Sequence, residues 1–248
     1  TIISKGNVAM DKRTRTALSI IVPLAVLLLV TGAYYTFGRK QGAPPGTDKP
    51  PQDGAAQDEN TIRQLNEQLA KLLPHRDNYR WRYNGFAEYG HTMTLKYIDR
   101  SADQIKYLIE GIVDDPSGGA AQRDLNLKIS YVIKNGSLVQ NKTEEAMMDS
   151  IFDTLELVRA PVEKGRKWTQ KQVDKEGKEY ELNSEITGVA EEEGLKVYTV
   201  MYRDANGDYY EKREIKEGVG VILFERLWKD RDNNAHQIGY YIYHEASG

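Results

Sequence analysis

Beyond residue 79, apolar and polar positions mostly alternate with a period of two, the spacing that turns one face of a β-strand toward a core. Turn sequences rich in Gly, Asn and Asp separate the alternating segments. The clearest segments lie near residues 93–97, 105–109, 125–133, 180–186 and 195–202. The pattern predicts a mainly β (α+β) domain over residues 74–248, built as a curved antiparallel sheet or half-barrel with one or two packed helices.

Two segments have helical rather than strand periodicity. In residues 58–73, apolar side chains recur on one stripe, and Pro74 ends the pattern. The simpler interpretation is an amphipathic helix lying on the domain that follows it. The alternative is a short coiled-coil seam for a partner, centred on Leu65 and Leu69. Residues 142–155 place apolar side chains on one helical face and predict a second helix.

Residues 17–37 form an apolar run without a charged side chain. As a helix this run would extend about 31 Å, close to the thickness of the hydrocarbon core of a bilayer. It predicts a transmembrane signal-anchor that contacts the lipid bilayer, with residues 1–16 as the cytoplasmic N-terminus. A cleaved signal peptide is the alternative, because small residues precede Tyr34, but the apolar run is longer than the usual signal core.

Residues 38–57 form a linker rich in proline and glycine, with no apolar residue larger than alanine or proline. Such a segment cannot build a core, and we expect a semi-extended tether that holds a domain away from the membrane. Tethers of this composition favour an outward orientation. The sequence therefore predicts a single-pass cell-membrane protein whose domain at residues 74–248 lies outside the cytoplasm.

Composition excludes several classes of chemistry. The 248 residues contain no cysteine, which excludes disulfides, thiolate metal sites and a cysteine nucleophile. After residue 57 the chain has 27 Lys and Arg against 34 Asp and Glu, a net charge of −7. Because nucleic-acid binding rewards basic surfaces, this balance argues against a nucleic-acid partner.

Two glycine-containing motifs have structural rather than catalytic spacing. Gly218 and Gly220 precede a β-branched run instead of a helix, so they predict the bend before a strand and not a phosphate loop. The segment "DANGD" at residues 204–208 lacks the glycine and glutamate spacing of a calcium loop. It predicts a hairpin turn.

The remaining polar candidates give no catalytic pattern. His75, His91, His236 and His244 lack the spacing of a metal pair and are expected at the surface or rim. The acidic pair at residues 144–145 is expected to open the second helix, where carboxylates favour the helix dipole. We predict no catalytic, cofactor-binding or metal-binding residue, no cofactor and no enzymatic activity.

The candidate ligand or partner surface consists of large apolar side chains. Trp81, Trp168 and Trp228 could form a platform for a sugar or an apolar ligand, although such rings more often fill the core of a sheet. Leu65 and Leu69 are the corresponding candidates on the predicted helix.

Three segments, taken in order, resemble an uncharacterised β-rich envelope domain of Gram-positive bacteria. They are the aromatic start at residues 79–89, a Pro–Gly–Trp pattern within residues 157–170, and the segment 209–225 that ends in a hydrophobic strand. The resemblance covers residues 79–229. Domains of this kind occur C-terminal to copper-amine-oxidase-like N-terminal modules or in lipoproteins. The resemblance implies a β-rich extracytoplasmic fold and supplies no catalytic residue, and this chain departs from it in having no lipobox cysteine.

These observations favour a membrane-anchored extracytoplasmic envelope protein with a non-catalytic binding or interaction role. Its target would be a partner protein or an apolar envelope ligand. One alternative is a hydrolase of cell-wall polymers, which would need two carboxyl groups facing a polar cleft. The other is a structural or regulatory subunit of a membrane complex.

The predicted topology can be tested on intact cells. Protease added outside should remove the domain at residues 74–248, because the anchor at residues 17–37 would leave that domain exposed. Immunoblotting of the domain measures its loss, with a cytoplasmic protein as the control. A domain that is degraded only after the cells are broken would contradict this orientation.

Overall fold

The computed structural model describes residues 53–248 except 87–89 and 121, with side chains described from residue 59 onward. The predicted cytoplasmic N-terminus, the signal-anchor and most of the tether therefore lie outside the described residues. Within the described part of the chain, no helix combines the length and the apolar character needed to cross a bilayer.

The described chain consists of one α-helix followed by strands, so the predicted mainly β class is confirmed. The elements are α1 (Asp53–Ala70), β1 (Arg80–Tyr83), β2 (His91–Arg100), β3 (Gln104–Val113), β4 (Asn126–Lys134), β5 (Ser137–Thr143), β6 (Thr154–Arg159), β7 (Lys167–Val173), β8 (Glu179–Glu192), β9 (Leu195–Asp204), β10 (Tyr210–Lys216), β11 (Gly220–Lys229) and β12 (Ala235–Tyr241). A short 3-10 helix follows at His244–Ala246.

The strands form two six-stranded antiparallel sheets, and in each sheet every strand pairs with its neighbours in sequence. Strands β1–β6 make the first sheet and β7–β12 make the second. The curved antiparallel sheet that the sequence predicts is thus realised as two consecutive meanders. The segment between β6 and β7 contains Pro161, which has no N–H, and Gly165 at φ +90°, and neither suits a continuing ladder.

The inner faces of the two sheets share one hydrophobic core. Aromatic side chains of each sheet also donate hydrogen bonds to backbone carbonyls of the other half of the chain. Trp81 Nε1 donates to the Val219 carbonyl, and Tyr202 Oη donates to the Leu157 carbonyl, each at 2.7 Å. These rings fill the interior while their polar tips satisfy backbone groups that water cannot reach.

The edges of the two sheets also meet. The C-terminal segment 242–248 turns from the second sheet toward β1, where Arg80 and Gly248 exchange two backbone hydrogen bonds of 2.9 and 3.1 Å. At the opposite edge, the carboxamide of Gln170 on β7 takes the place of a strand. Its Oε1 accepts from the Glu156 backbone N–H at 2.9 Å, and its Nε2 donates to the Glu156 carbonyl at 3.0 Å. Both contacts satisfy edge groups that would otherwise be open to pairing.

Helix α1 lies on the first sheet, as the simpler interpretation of its pattern predicts. It begins five residues before the predicted start and ends at Ala70, after which turns continue to Leu73. Leu69 is 0% exposed and Leu65 packs against the core. Asn66 Oδ1 accepts a hydrogen bond from the Gly136 N–H at 2.9 Å, which fixes the helix to the β4–β5 turn. Leu69 is therefore not available for a coiled-coil seam.

The second predicted helix, over residues 142–155, is wrong. β5 continues through Thr143, β6 begins at Thr154, and residues 144–153 form an irregular connection that we call the strap. Side chains in the strap bond to nearby backbone groups: Met147 N–H donates to Glu144 Oε2 at 2.6 Å, and Phe152 N–H donates to Ser150 Oγ at 3.2 Å. Such bonds compete with a helical backbone, so local apolar periodicity does not decide this segment.

Both glycine-containing motifs behave as predicted. Gly218 and Gly220 have φ values of +73° and +91°, which glycine adopts without steric cost, and β11 starts at Gly220. The Gly218 N–H donates to the Lys71 carbonyl at 2.8 Å, so this turn also holds the end of the helix segment. Residues 205–209 form the turn of the β9–β10 hairpin.

The packing of α1 can be tested at two aliphatic residues of the helix, one buried and one exposed. Leu69→Ala should lower the free energy of unfolding by about 2–5 kcal/mol, because it leaves a cavity under the helix. Ile62→Ala, at a side chain that is 38% exposed, should cost less than about 1 kcal/mol. Chemical denaturation followed by circular dichroism measures both changes, and equal costs would contradict this placement of α1.

Candidate functional site

The structure does not bring the three tryptophans together. Trp81 and Trp168 are 2% and 5% exposed and lie in different sheets. Trp228 on β11 is half-buried, with Phe86 and His236 at centroid distances of 6.1 and 5.4 Å. The platform proposed from the sequence is therefore absent from the described residues, and two of its members are core residues.

Three buried charged side chains beside the strap, together with the partly exposed Lys175, form the most unusual site in the described chain. Lys142, Glu144, Asp149 and Lys175 make up what we call the ion cluster. Lys142 Nζ lies 3.3 Å from Glu144 Oε1 and also contacts Asp149, while Lys175 contacts Glu144. The Glu144 side chain is 0% exposed and the Lys142 side chain 1%. Each buried charge thus has at least one opposite charge in direct contact, as burial requires.

The strap connects β5 and β6 of the first sheet, and it also contacts the second sheet. Its Ile151 carbonyl accepts a hydrogen bond from the Lys175 N–H at 3.2 Å, directly after β7. Ser150 Oγ donates to Glu211 Oε1 on β10 at 2.6 Å. Phe152 packs its ring edge-on against Tyr180 at a centroid distance of 5.3 Å. The strap is therefore a tie between the two sheets and not a free surface loop.

A second buried pair adjoins the strap on β10. Arg213 Nη2 donates to Glu211 Oε2 at 3.0 Å, and both side chains are at most 2% exposed. The guanidinium lies 5.4 and 5.2 Å from the ring centroids of Tyr202 and Phe224. Its Nε and Nη1 have no hydrogen-bond acceptor, and the electron-rich faces of these two rings lie beside the charge instead. Burial acts to lower the pKa of Arg213, but Glu211 and the nearby tyrosines raise it overall, which keeps the group charged.

Electrostatics hold the Glu144 carboxyl group in its ionised form. Burial acts to raise the pKa of Glu144, but Lys142, Lys175 and a backbone N–H lower it overall. Among the described residues, every carboxyl group with a shifted pKa is shifted downward: Asp103, Asp115, Glu144, Asp208 and Asp230. A general acid needs the opposite shift, so these groups are suited to pairing with cations and not to proton donation.

His91 is a core residue, contrary to the surface or rim position expected for it. Its ring stacks on Tyr83 at a centroid distance of 4.5 Å and meets Tyr240 edge-on at 4.9 Å. Burial, assisted by the charge of Lys142, lowers the pKa of His91 to about 3, so the ring is neutral at physiological pH. In the part of the chain that the structure describes, no three His, Asp or Glu side chains are grouped to hold a metal. The other three histidines are exposed.

A polar cleft of about 690 Å³ lies between α1 and the β2–β3 turn. Its carboxyl groups are the relevant ones for a hydrolase, and two of them are paired with cations. Glu67 lies 3.8 Å from Arg100, and Asp103 lies 2.8 Å from Lys134. The hydrogen bonds of Asp103 to Lys134 and Ser101 lower its pKa, which opposes a role as a proton donor.

The sequence contains a signal for the buried charges that hydrophobic periodicity does not use. Lys142 follows Leu138 and Gln140 on the inner face of β5, and Arg213 and Glu211 precede Ile215 on the inner face of β10. A charged residue at a core position of a strand indicates a buried ion pair. The sequence does not show which partner it meets.

Comparison with known proteins gives no assignment. No family model matches the sequence, and no curated protein matches it. A candidate lipoprotein from Parabacteroides distasonis aligns with a TM-score of 0.38 at 11% identity, covering 69% of this chain and 96% of its own. A candidate exported protein with a YmcC-like fold, from Bacteroides fragilis, aligns with a TM-score of 0.42 at 10% identity, covering 68% and 96% respectively. These values assign neither a family nor an activity to the chain.

The β-rich fold that the resemblance to the envelope domain implies is present in the described residues. Its Gram-positive origin and its link to copper-amine-oxidase-like modules stay predictions.

The ion cluster predicts an acid-sensitive contribution to stability. Because the folded-state pKa of Glu144 is below its ordinary value of 4.5, its contribution is present above that pH and is lost as the pH falls below it. Glu144→Gln should lower the free energy of unfolding at pH 7 by about 3–5 kcal/mol, since it leaves Lys142 without one of its buried partners. The variant should also lose less stability than the wild type as the pH falls below about 4.5, because it lacks the carboxyl that becomes protonated there.

Glu145→Gln is the matched control, because Glu145 is the adjacent carboxyl and is exposed. It should change the stability by about 0.5 kcal/mol or less. Urea denaturation at pH 7, 5 and 3 measures all three proteins. Equal effects of the two substitutions would contradict a paired, ionised Glu144.

Proposed function

We propose that this chain is a membrane-anchored envelope protein whose β-rich domain lies outside the cytoplasm and binds an envelope component or partner protein without chemical turnover. The apolar run at residues 17–37 and the proline-rich linker at residues 38–57 support the anchoring and the orientation. The pairing of cleft carboxyl groups with cations supports a role without turnover.

One observation carries the non-catalytic role: in the polar cleft beside α1, Glu67 and Asp103 are each paired with a cation. A cell-wall hydrolase of the two-carboxyl type needs one carboxyl that stays protonated near neutral pH. The polar cleft beside α1 would be the place for such a pair. There Glu67 and Asp103 face Arg100 and Lys134 instead.

The packing between the sheets favours a binding surface on the outside of the domain. A carrier of an apolar ligand needs an open apolar interior. Here that interior is occupied by core side chains of both sheets, including Trp81 and Tyr83, which are hydrogen-bonded across it to Val219 and Val221. We therefore place recognition on exposed side chains and give an internal apolar ligand less weight.

The full-length protein in detergent should bind insoluble peptidoglycan without releasing soluble fragments from it. Co-sedimentation measures binding, and the appearance of reducing ends in the supernatant measures hydrolysis. Lysozyme serves as the positive control for release. Fragment release that disappears in Glu67→Gln or Asp103→Asn would contradict the proposed function and support the hydrolase.

A further inference from the structure

The alternation of β2 is interrupted by a bulge that moves Tyr97 to the outer face of the first sheet. Leu95 pairs with Ile109 and Tyr97 pairs with Leu108, so Lys96 is the extra residue between them. Leu95 is 0% exposed, whereas Tyr97 is 50% exposed. The sequence alternation placed Tyr97 on the same face as Leu95, and that assignment is wrong. Bulges of this kind redirect side chains and are frequent beside functional sites.

The exposed ring begins a row of side chains that crosses four strands. Tyr97 is opposite Leu108, Leu108 is opposite Ser130, and Ser130 is opposite Asn141. Three strand spacings make this row about 14 Å long. Its polar end consists of small hydrogen-bonding side chains, and its other end is an aromatic ring beside a half-buried leucine.

A second row runs next to the first and carries charge and hydroxyl groups. Thr94, Glu110, Lys128 and Thr143 are successive cross-strand partners. Lys96 Nζ lies 3.5 Å from Glu110 Oε2 of this row. The two rows border a groove of about 350 Å³, which we call the Tyr97 groove. The opposite charges of Lys96 and Glu110 leave the groove with only a small net positive charge.

We propose that the Tyr97 groove binds consecutive sugar units of an envelope polysaccharide. This inference rests on the proposed function and names the component that the domain would recognise. A pyranose ring has an apolar face that can pack on the Tyr97 ring, and hydroxyl groups around its edge. Ser130, Asn141 and Thr143 supply hydroxyl and amide groups for those edges, and Lys128 and Glu110 supply charged donors and acceptors.

The backbone of this face argues against a peptide added as a strand. β2, β3, β4 and β5 each pair with a neighbour on both sides, so their main-chain groups are already used. Recognition on this face must come from side chains alone. A ligand with many hydroxyl groups and apolar ring faces suits such a surface.

The same side chains argue against a bilayer surface as the occupant. The Glu110 side chain is 61% exposed in the middle of the groove, where it would face lipid. Tyr97 is the only groove residue among the large exposed apolar side chains of the described chain. Membrane insertion requires a broader apolar area and tolerates an exposed carboxylate poorly.

The experiment measures the affinity of the full-length protein in detergent for a β-1,4-linked N-acetylglucosamine tetramer by titration calorimetry. Binding to insoluble peptidoglycan is measured by co-sedimentation. Tyr97→Ala should weaken both by about tenfold or more, since it removes the aromatic anchor. Tyr97→Phe keeps the ring and should stay within about threefold of the wild type.

Tyr241→Ala is the matched control, because Tyr241 is 51% exposed and lies on β12 in the other sheet. It should leave both affinities unchanged. Thermal unfolding of each variant establishes that the fold is retained. Equal affinities of Tyr97→Ala and Tyr241→Ala would overturn the inference, as would a wild type that binds neither saccharide.

Vesicles of phosphatidylglycerol and phosphatidylcholine separate a lipid surface from a glycan. Binding to these vesicles that is lost in Tyr97→Ala, without saccharide binding, would overturn the glycan assignment. Cleavage of the tetramer would instead contradict the proposed non-catalytic function, while the dependence of its binding on Tyr97 could still be measured. The two failures are therefore distinguishable.

Discussion

A buried charge needs an opposite charge in contact with it, and this requirement determines the position of the strap. Lys142 points inward from β5, where no solvent can compensate its charge. The strap supplies Glu144 and Asp149 to it, and Lys175 from the second sheet completes the balance. The backbone of the strap must bring these side chains to one point, which a regular helix over the same residues would not do. The tie between the two sheets thus follows from the burial of one lysine.

Much of the fold could be predicted from the sequence, because most strands bury one face and expose the other. The alternation located most of the strands, and Gly218, Gly220 and the turn at residues 204–208 were correctly assigned to turns. The second helix failed because side chains of the strap bond to nearby backbone groups, and because one-dimensional periodicity contains no information on partners such as Lys175, which is 31 residues from Glu144. His91 failed for a related reason: its neighbours Tyr83 and Tyr240 come together only when the C-terminal strand reaches the first sheet.

The candidate surfaces were harder to predict than the core. The presence of three tryptophans suggested a platform, but burial of a large ring is more stabilising than its exposure. Trp81 also donates a hydrogen bond to the Val219 carbonyl, and Trp168 packs edge-on against Tyr202. The alternation grouped Tyr97 with Leu95 because it follows Leu95 by two residues. A single extra residue in β2 reverses that assignment, and nothing in the spacing of Met93, Leu95 and Tyr97 announces the bulge. The groove could therefore be recognised only from the strand register.

The strand register determines which residues lie on each face of the first sheet. A shift of one residue exchanges the inner and outer sets of a strand, so the core and the groove cannot be specified independently. Ile109 and Ile129 are locked inward by the shared core, which fixes Leu108 and Ser130 on the outer face of β3 and β4. In β2 the bulge departs from this rule, and it does so after the buried residues Met93 and Leu95 are in place. The bulge thus changes the facing of the residues after Leu95, so that Ile98 packs against the core and the aromatic ring of Tyr97 lies on the outer face. The core already holds the geometry of that face.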